Sequence, residues 1–230
     1  MNRKSFIKKL ALSEEALENI KKAVQNAEKN TSGEIVVAVA KESSDYSFWE
    51  ILASLIVSLI VFCVMIPFSG MIRNFYESIN WQAPEWYLPA TYGFTIFLVV
   101  LVFFAFFNIP LFDRLIIPSF VKVKNVSDRA FRAFTETGTY CTKDHTGILI
   151  FVSFLERQVR VIADKGISEK ISQDMWNLIA SGLTDELKNG HNEEAFIDAI
   201  EKCGKLLSDF YPIKKDDVDE LSDGLVLICD

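Results

Sequence analysis

Two long hydrophobic segments interrupt a chain that otherwise alternates between apolar and polar positions. They run from Ile51 to Ile72 and from Leu88 to Phe112, and neither contains a charged residue. A helix needs about 20 apolar residues to cross a hydrocarbon core, and it satisfies its own backbone hydrogen bonds in lipid. The pattern therefore predicts a hairpin of two transmembrane helices, joined by the segment from Arg73 to Tyr87. Buried core helices are the alternative, but they seldom extend so far without a charge.

Charged and aromatic residues near the ends of these segments predict the orientation of the hairpin. Lysine and arginine favour the cytoplasmic side of a membrane, and tryptophan and tyrosine favour its interfaces. The flanking segments contain Lys41, Arg114, Lys122, Lys124, Arg129 and Arg132. The connecting segment has Arg73 against Glu77 and Glu85, and the candidate interfacial residues are Trp49, Trp81, Trp86 and Tyr87. We therefore expect an integral protein of the cytoplasmic (inner) membrane, with two spans, an external loop and a cytoplasmic soluble domain.

The N-terminal segment shows a helical period that is followed by a strand pattern. Ser13 is a favourable N-cap, and Glu14 and Glu15 would lie in the first turn, where the helix dipole favours acids. Apolar residues then recur at helical spacing, at Leu17, Ile20, Val24 and Ala27. The next apolar run, Ile35 to Ala40, is short and rich in valine, as expected of a strand that is buried on both faces.

The C-terminal segment predicts helices around a strand hairpin. Ser127 is placed as the N-cap of a helix that ends near Gly138. Only three residues separate the apolar runs Ile148 to Leu155 and Val159 to Ala163, so they predict an antiparallel hairpin. Two further helices are predicted, from Ser168 or Ser172 to Lys188 and from Asn192 to Tyr211.

This order of elements predicts an α/β fold, with a small central sheet that is covered by helices and interrupted by the two-helix transmembrane hairpin. The expected domain comprises residues 1–48 and 113–212, because neither piece alone supplies both the sheet and its covering helices. Residues 49–112 then form the hairpin, and residues 213–230 an acidic C-terminal tail. Within the tail, Leu225 to Ile228 predicts a short edge strand. The acidic run before it is either a solvated tail or a peptide that docks on a partner.

Composition excludes some classes of function. The net charge is −7, and a nucleic-acid partner would require a basic stripe that the chain lacks. The four cysteines, Cys63, Cys141, Cys203 and Cys229, do not have the spacing of a disulfide framework or a zinc site. We expect them to be reduced thiols. The segment from Met1 to Leu12 lacks the apolar core of a cleavable signal.

The segment Thr31-Ser32-Gly33-Glu34-Ile35-Val36-Val37 is similar to the opening strand of the TPM-domain family. That family is named after a thylakoid lumen protein, a photosystem-II repair protein and a nematode receptor accessory protein. Ala130 to Phe134 resembles its helix, and Thr146 to Val152 the strand that follows. Glu156 to Val161, followed by Asp164-Lys165-Gly166-Ile167, is similar to its hairpin. The resemblance extends from about residue 13 to 211, without the transmembrane segment.

The resemblance implies a fold more than a function. Members of the family have been described as acid phosphatases, calcium binders, repair or assembly factors and auxiliary subunits, mostly outside the cytoplasm. This chain departs from that pattern through its inserted hairpin and its expected cytoplasmic side, and a shared fold does not fix function. We assign structural roles, in turns or close packing, to the motif residues Gly33, Glu34, Gly147 and Gly166.

A candidate site follows from the pairing of the strand hairpin. If the chain turns at Glu156-Arg157, antiparallel pairing places Asp164 beside Leu149 and Gly166 beside Gly147. One end of the sheet would then gather Asp144, His145, Asp164 and Glu169. Carboxylates suit Ca²⁺ or Mg²⁺, so the expected ligands are the three acids, with His145 as a neighbouring binding residue. Turn formation and helix capping are the commoner roles of such loop residues, and they remain open.

Other residues are weaker candidates for a binding or catalytic site. Arg157 could bind a carboxylate or phosphate, or it could be a solvated turn residue. Cys141 lies four residues before His145, but such a pair in a loop is usually accidental. The sequence has no phosphate-binding glycine loop, nucleophile elbow or zinc-ligand quartet.

We therefore expect a membrane-anchored module that binds other membrane proteins as an assembly or regulatory partner. A metal-dependent, acid-phosphatase-like phosphomonoesterase is the second hypothesis.

Overall fold

The computed structural model describes residues 3–79, 84–214 and 220–228. Trp81, Cys229 and the acidic residues Asp216, Asp217 and Asp219 lie outside the described residues, so the roles predicted for them stay predictions. The chain forms two compact units. The helical unit is Asp45–Ser119, and the α/β unit combines Met1–Ser44 with Phe120–Asp230.

The described elements follow the chain in this order. They are α1 (Arg3–Lys9), α2 (Glu14–Glu28), β1 (Glu34–Ala40), α3 (Ser47–Met65), α4 (Ser69–Ile79), α5 (Tyr87–Phe107), α6 (Pro110–Ile116), α7 (Ser119–Glu136), β2 (Gly147–Ser153), β3 (Gln158–Ala163), α8 (Lys165–Ser168), α9 (Gln173–Asn189), α10 (Asn192–Phe210) and β4 (Val226–Ile228). Short 3₁₀ turns at Ile66–Phe68 and Thr139–Cys141 complete the described set.

The helical unit contains two helices that are long and apolar enough to cross a membrane, Ser47–Ile79 and Tyr87–Phe107. The first of them combines α3, the 3₁₀ turn and α4. It runs past Arg73, where the sequence analysis placed the start of the connecting loop, and that boundary is therefore wrong. Arg73 and Glu77 lie one turn apart on α4 and form an ion pair at 2.7 Å, which favours this extension of the helix.

The helical unit exposes apolar side chains and buries polar ones, which is the reverse of a water-soluble helical bundle. Large apolar residues such as Leu59 and Phe94 are mainly exposed. The buried residues of α3 are polar and recur every four positions, at Glu50, Ser54 and Ser58. Small polar side chains let membrane helices approach closely, and the amide of Asn108 donates to Glu50 at 2.8 Å. This pattern fits two helices with an apolar outer surface, and it disfavours the alternative of buried core helices.

The α/β unit is built on a four-stranded sheet in the order β3-β2-β1-β4. β1 is parallel to β2, with Glu34 opposite Gly147, and it is also parallel to β4, with Ala38 opposite Val226. β3 is antiparallel to β2. Both central strands are buried along their whole length, as their continuous apolar sequences require. The predicted α/β fold with a small central sheet is therefore confirmed.

Helices cover both faces of this sheet. Alternate residues of β1 contribute to two separate cores, Ile35, Val37 and Val39 to one and Val36, Ala38 and Ala40 to the other. The first core is closed by apolar residues of α1, α2, α9 and α10. The second is closed by α7, through Val126, Ala130, Ala133 and Phe134. α1 precedes the first helix that the sequence predicts, and it supplies the fully buried Phe6.

Two local sequence predictions are wrong. Ser127 is not an N-cap, because α7 begins eight residues earlier, at Ser119. The strand hairpin turns earlier than at Glu156-Arg157, since Ser153 pairs with Gln158 and leaves a four-residue loop. Arg157 makes this loop possible by adopting a left-handed conformation, with φ of 52°. The register therefore shifts by two residues, and the Asp164 backbone N–H donates to Gly147, not to Leu149.

Candidate functional site

Three of the predicted site residues meet at the amino ends of β1 and β2. Asp144 and His145 lie in the turn before β2, separated from it by Thr146, and Asp164 directly follows β3. Because the hairpin is antiparallel, its start and its finish lie at the same end of the sheet. His145 Nδ1 lies 3.1 Å from Asp164 Oδ2. Glu169 is exposed at the C-terminal end of α8, and no described contact joins its carboxylate to the other acids.

Two of the three predicted carboxylate ligands, Asp144 and Asp164, have partners within the chain. The Lys214 ammonium donates to Asp144 Oδ2 at 2.6 Å. Asp164 caps α8, since its Oδ1 accepts the Lys165 backbone N–H at 2.6 Å while Oδ2 faces His145. The hydrogen bond from Lys214 lowers the pKa of Asp144 below its ordinary value. Ionised Asp144 therefore stabilises the folded state at pH values above the unfolded pKa of about 3.9. This contribution is lost as the pH falls below the lowered pKa of the folded state.

The residues at this end of the sheet do not fit a preformed Ca²⁺ or Mg²⁺ site. Such cations take six or more oxygen ligands, and protein sites gather several carboxylates around them. Within the part of the chain that the structure describes, no group of three or more His, Cys, Asp or Glu side chains could hold a metal ion. Capping of α8 and pairing with Lys214 account for Asp164 and Asp144 without a cation.

Glycines of the same region serve close packing. A Cβ on Gly147 would lie 2.1 Å from the Thr139 carbonyl oxygen, and one on Gly166 would lie 2.5 Å from the His145 carbonyl oxygen. A Cβ on Gly33 would meet the Leu207 side chain at 2.9 Å. At Gly147 and Gly166 the backbone therefore passes too close for any side chain, whereas at Gly33 only a flexible side chain opposes one. Glu34 is buried at the start of β1, where its Oε1 accepts from the Glu220 backbone N–H.

The remaining candidates are not brought together. Arg157 lies at the opposite end of the hairpin from Asp164, a full strand away. No hydrogen bond between Cys141 and His145 occurs among the described residues, and His145 faces Asp164 instead. Burial raises the pKa of Cys203 to about 12, so this thiol stays protonated at neutral pH.

A buried polar cluster at the carboxyl ends of β1 and β2 was not anticipated from the sequence. It consists of Ser43, Ser153 and Glu156. Glu156 accepts the Ser43 backbone N–H at 2.8 Å and the Ser153 hydroxyl at 2.5 Å. The two serine hydroxyls lie 2.7 Å apart. Ser153 is completely buried, so this carboxylate–serine pair cannot reach a substrate, and it ties the hairpin loop to the segment after β1.

We expect Glu156→Ala to lower the free energy of unfolding by about 2–3 kcal/mol, because it leaves buried donors of Ser43 and Ser153 without an acceptor. Denaturant-induced unfolding of the α/β unit, followed by circular dichroism in the detergent-solubilised chain, measures the change. Glu201→Ala on the exposed surface of α10 is the matched control and should be close to neutral. Equal effects of both substitutions would contradict a stabilising role for this cluster.

Two comparisons with known proteins found a similarity to this chain. The family profile described as the TPM domain matches residues 115–206, which include β2, β3 and α9. A solved structure, the NMR structure of BA42 protein from the psychrophilic bacterium Bizionia argentinensis, is similar with a TM-score of 0.54. That alignment covers 94% of each chain at 23% sequence identity, and it shows a shared fold. None of the curated proteins compared with this chain matches it significantly. Residues 115–206 are therefore similar to the TPM domain, and the sheet to which they contribute belongs to a fold that BA42 shares.

Proposed function

We propose that this chain is a membrane-anchored TPM domain that acts by binding other membrane proteins, as an assembly or regulatory partner. The observation that carries this proposal is the state of the acids at the amino ends of the strands. Asp144 is paired with Lys214 and Asp164 caps α8. A catalytic or metal-binding role would have to break these interactions, whereas a binding role leaves them in place.

The helical unit supports the same proposal. Its two long helices bury few of their apolar side chains, which suits contact with lipid or with the spans of a partner. The polar stripe of α3 is directed inward, so it holds the hairpin together and leaves the outer surface apolar. An anchor of this kind confines the TPM domain to the bilayer plane, where even a weak interaction with another membrane protein becomes effective.

We place the chain in the cytoplasmic membrane, with the loop between the spans outside and the TPM domain in the cytoplasm. The excess of lysine and arginine in the flanking segments supports this orientation. A cysteine introduced at Ser78 should react with a membrane-impermeant maleimide in intact cells, and one at Ser208 should react only after lysis. Ser78 is exposed and Ser208 is half-buried on α10, so some surface of each side chain is open to the reagent. Labelling of Ser208→Cys in intact cells would reverse the orientation.

The experiment that tests the function combines two assays on the same tagged, full-length chain. Crosslinking in native membranes, followed by quantitative mass spectrometry, should give a discrete membrane protein that a tagged two-span control protein does not enrich. The purified complex should then contain both proteins in a fixed ratio. In parallel, the detergent-solubilised chain should hydrolyse p-nitrophenyl phosphate no faster than its Asp164→Asn variant. Absence of a stoichiometric partner would contradict the binding proposal.

One observation favours the alternative, a metal-dependent phosphomonoesterase. Asp144, His145 and Asp164 do converge at one end of the sheet, with 3.1 Å between the imidazole and a carboxylate oxygen. If these residues take up Ca²⁺ or Mg²⁺, millimolar cation should raise the melting temperature of the α/β unit, and Asp164→Asn should abolish the rise. Metal-dependent turnover that is lost in Asp164→Asn with the fold intact would replace the binding proposal by this one.

A further inference from the structure

A groove follows the free edge of the sheet along β3. Its volume is about 570 Å³, and one wall is the edge strand from Arg157 to Arg160. The other wall is α9, through Asn177, Ala180, Ser181 and Thr184. β3 is the last strand on this side of the sheet that the structure describes. A strand edge beside a helix is the geometry in which extended peptides add to a sheet.

Alternate backbone groups of β3 point away from β2, along the open edge of the sheet. The Asp164 N–H donates to Gly147, so in an antiparallel ladder the even-numbered residues of β3 bond to β2. The N–H and C=O groups of Val159 and Val161 are therefore directed away from the sheet. Two contacts agree with this alternation, since the carbonyl of Val159 accepts from the Arg160 guanidinium and that of Ala163 from the Ser168 hydroxyl. The edge thus offers backbone donors and acceptors to an added strand.

The charge of the groove is opposite to that of the protein. Arg157, Arg160 and Lys188 line it, together with a single acid, Asp185. Asp185 pairs with Lys188 at 2.9 Å. Among the described residues, no carboxylate pairs with Arg157, and the contacts of the Arg160 guanidinium are long, each of 3.4 Å, to Ser127 and Val159. In a chain of net charge −7, two such guanidinium groups form a local site for negative charge.

We propose that this groove binds an extended acidic peptide of a partner protein, which adds as a fifth strand along β3. Backbone hydrogen bonds to Val159 and Val161 would give affinity, and Arg157 and Arg160 would select acidic side chains. The inference rests on the proposed binding function and names the chemistry of the partner segment. A free anion would need only the guanidinium groups, whereas a strand also uses the outward backbone groups of β3.

The test uses the full-length chain in detergent and a fluorescein-labelled ten-residue peptide of alternating valine and glutamate. Fluorescence anisotropy should show saturable binding, and a valine–lysine peptide should not bind. The double variant Arg157→Glu/Arg160→Glu should weaken binding of the acidic peptide about tenfold or more. The same variant should gain binding of the valine–lysine peptide. Lys202→Glu/Lys205→Glu on α10 changes the net charge equally outside the groove, and it should bind the acidic peptide as the wild type does.

N-methylation of the peptide separates strand addition from charge attraction without altering the protein. Only alternate N–H groups of an added strand face the edge, so methylation of the glutamates or of the valines should abolish binding in one case and spare it in the other. Equal binding of both methylated peptides, or equal loss in the α10 control variant, would overturn strand addition. Failure of the peptide to bind would also overturn it. If a crosslinked membrane partner persists in that case, the proposed function stands and only this site is wrong.

Discussion

A chain truncated to residues 120–230 is expected to be molten or aggregated, although it contains most of the residues that match the TPM profile. The truncation removes β1, which lies between β2 and β4 and is buried throughout. It also removes α1 and α2, which supply the fully buried Phe6, Ile20 and Val24 to the core. β2 would become an exposed apolar edge and β4 would lose its partner strand, and such edges favour aggregation.

The matched variant keeps β1 and replaces only residues 45–119 with a flexible Gly/Ser linker of about 12 residues, whose mean span is about 20 Å. We expect it to be soluble and to unfold in one cooperative transition, because the α/β unit then retains its whole sheet and both cores. Circular dichroism, ANS fluorescence and an amide NMR spectrum distinguish the two chains. A cooperatively folded 120–230 fragment would show that the N-terminal segment is dispensable for the fold.

The sequence was most informative where a single local rule determines the structure. Ser13 accepts the Ala16 N–H as the N-cap of α2, and α9 ends at Asn189, one residue after the predicted Lys188, where Gly190 adopts a left-handed conformation. The valine-rich run after Gly33 forms a strand that is buried on both faces. Periodicity and capping are properties of a few neighbouring residues, so they survive without knowledge of tertiary contacts.

Predictions failed where two local rules competed or where distant residues decide. The loop of the β2–β3 hairpin depends on Arg157 adopting a left-handed conformation. Arginine seldom adopts this conformation, so the sequence does not predict it. That choice shifted the register and with it the expected neighbours of Asp164. Ser127 has the composition of an N-cap, but α7 continues through it, because tertiary packing of its apolar face outweighs a capping preference of about 1 kcal/mol.

In the candidate site, too, local features could be predicted and contacts between distant residues could not. Asp144, His145 and Asp164 could be placed at one end of the sheet from strand order alone. The partner of Asp144, Lys214, lies 70 residues further along the chain, beyond any local pattern. The buried Glu156 cluster depends on Ser43, which is 113 residues away. A Ser-x-x-Glu sequence in the hairpin loop was its only local signal, and this pattern is more typical of helix N-termini.

Gly147→Ala is expected to lower the free energy of unfolding by about 3 kcal/mol or more, at the upper end of the usual cost of overpacking. The added Cβ would lie 2.1 Å from the backbone carbonyl oxygen of Thr139, which is itself completely buried. Relief requires the turn before β2 to move, and this turn also positions Asp144 and His145. The variant should therefore lose stability and disturb the amino end of the sheet at once.

Two other glycines calibrate this prediction through denaturant unfolding of the same full-length chain. A Cβ on Gly33 would meet only the flexible end of Leu207, so Gly33→Ala should cost about 1 kcal/mol. Gly182 lies within α9 with open space around it, and Gly182→Ala should stabilise the protein by about 0.5–1 kcal/mol. This order follows from whether backbone, side chain or nothing opposes the new methyl group. A neutral Gly147→Ala would mean that the turn before β2 is not packed against the strand, and the positions assigned to Asp144 and His145 would then be wrong.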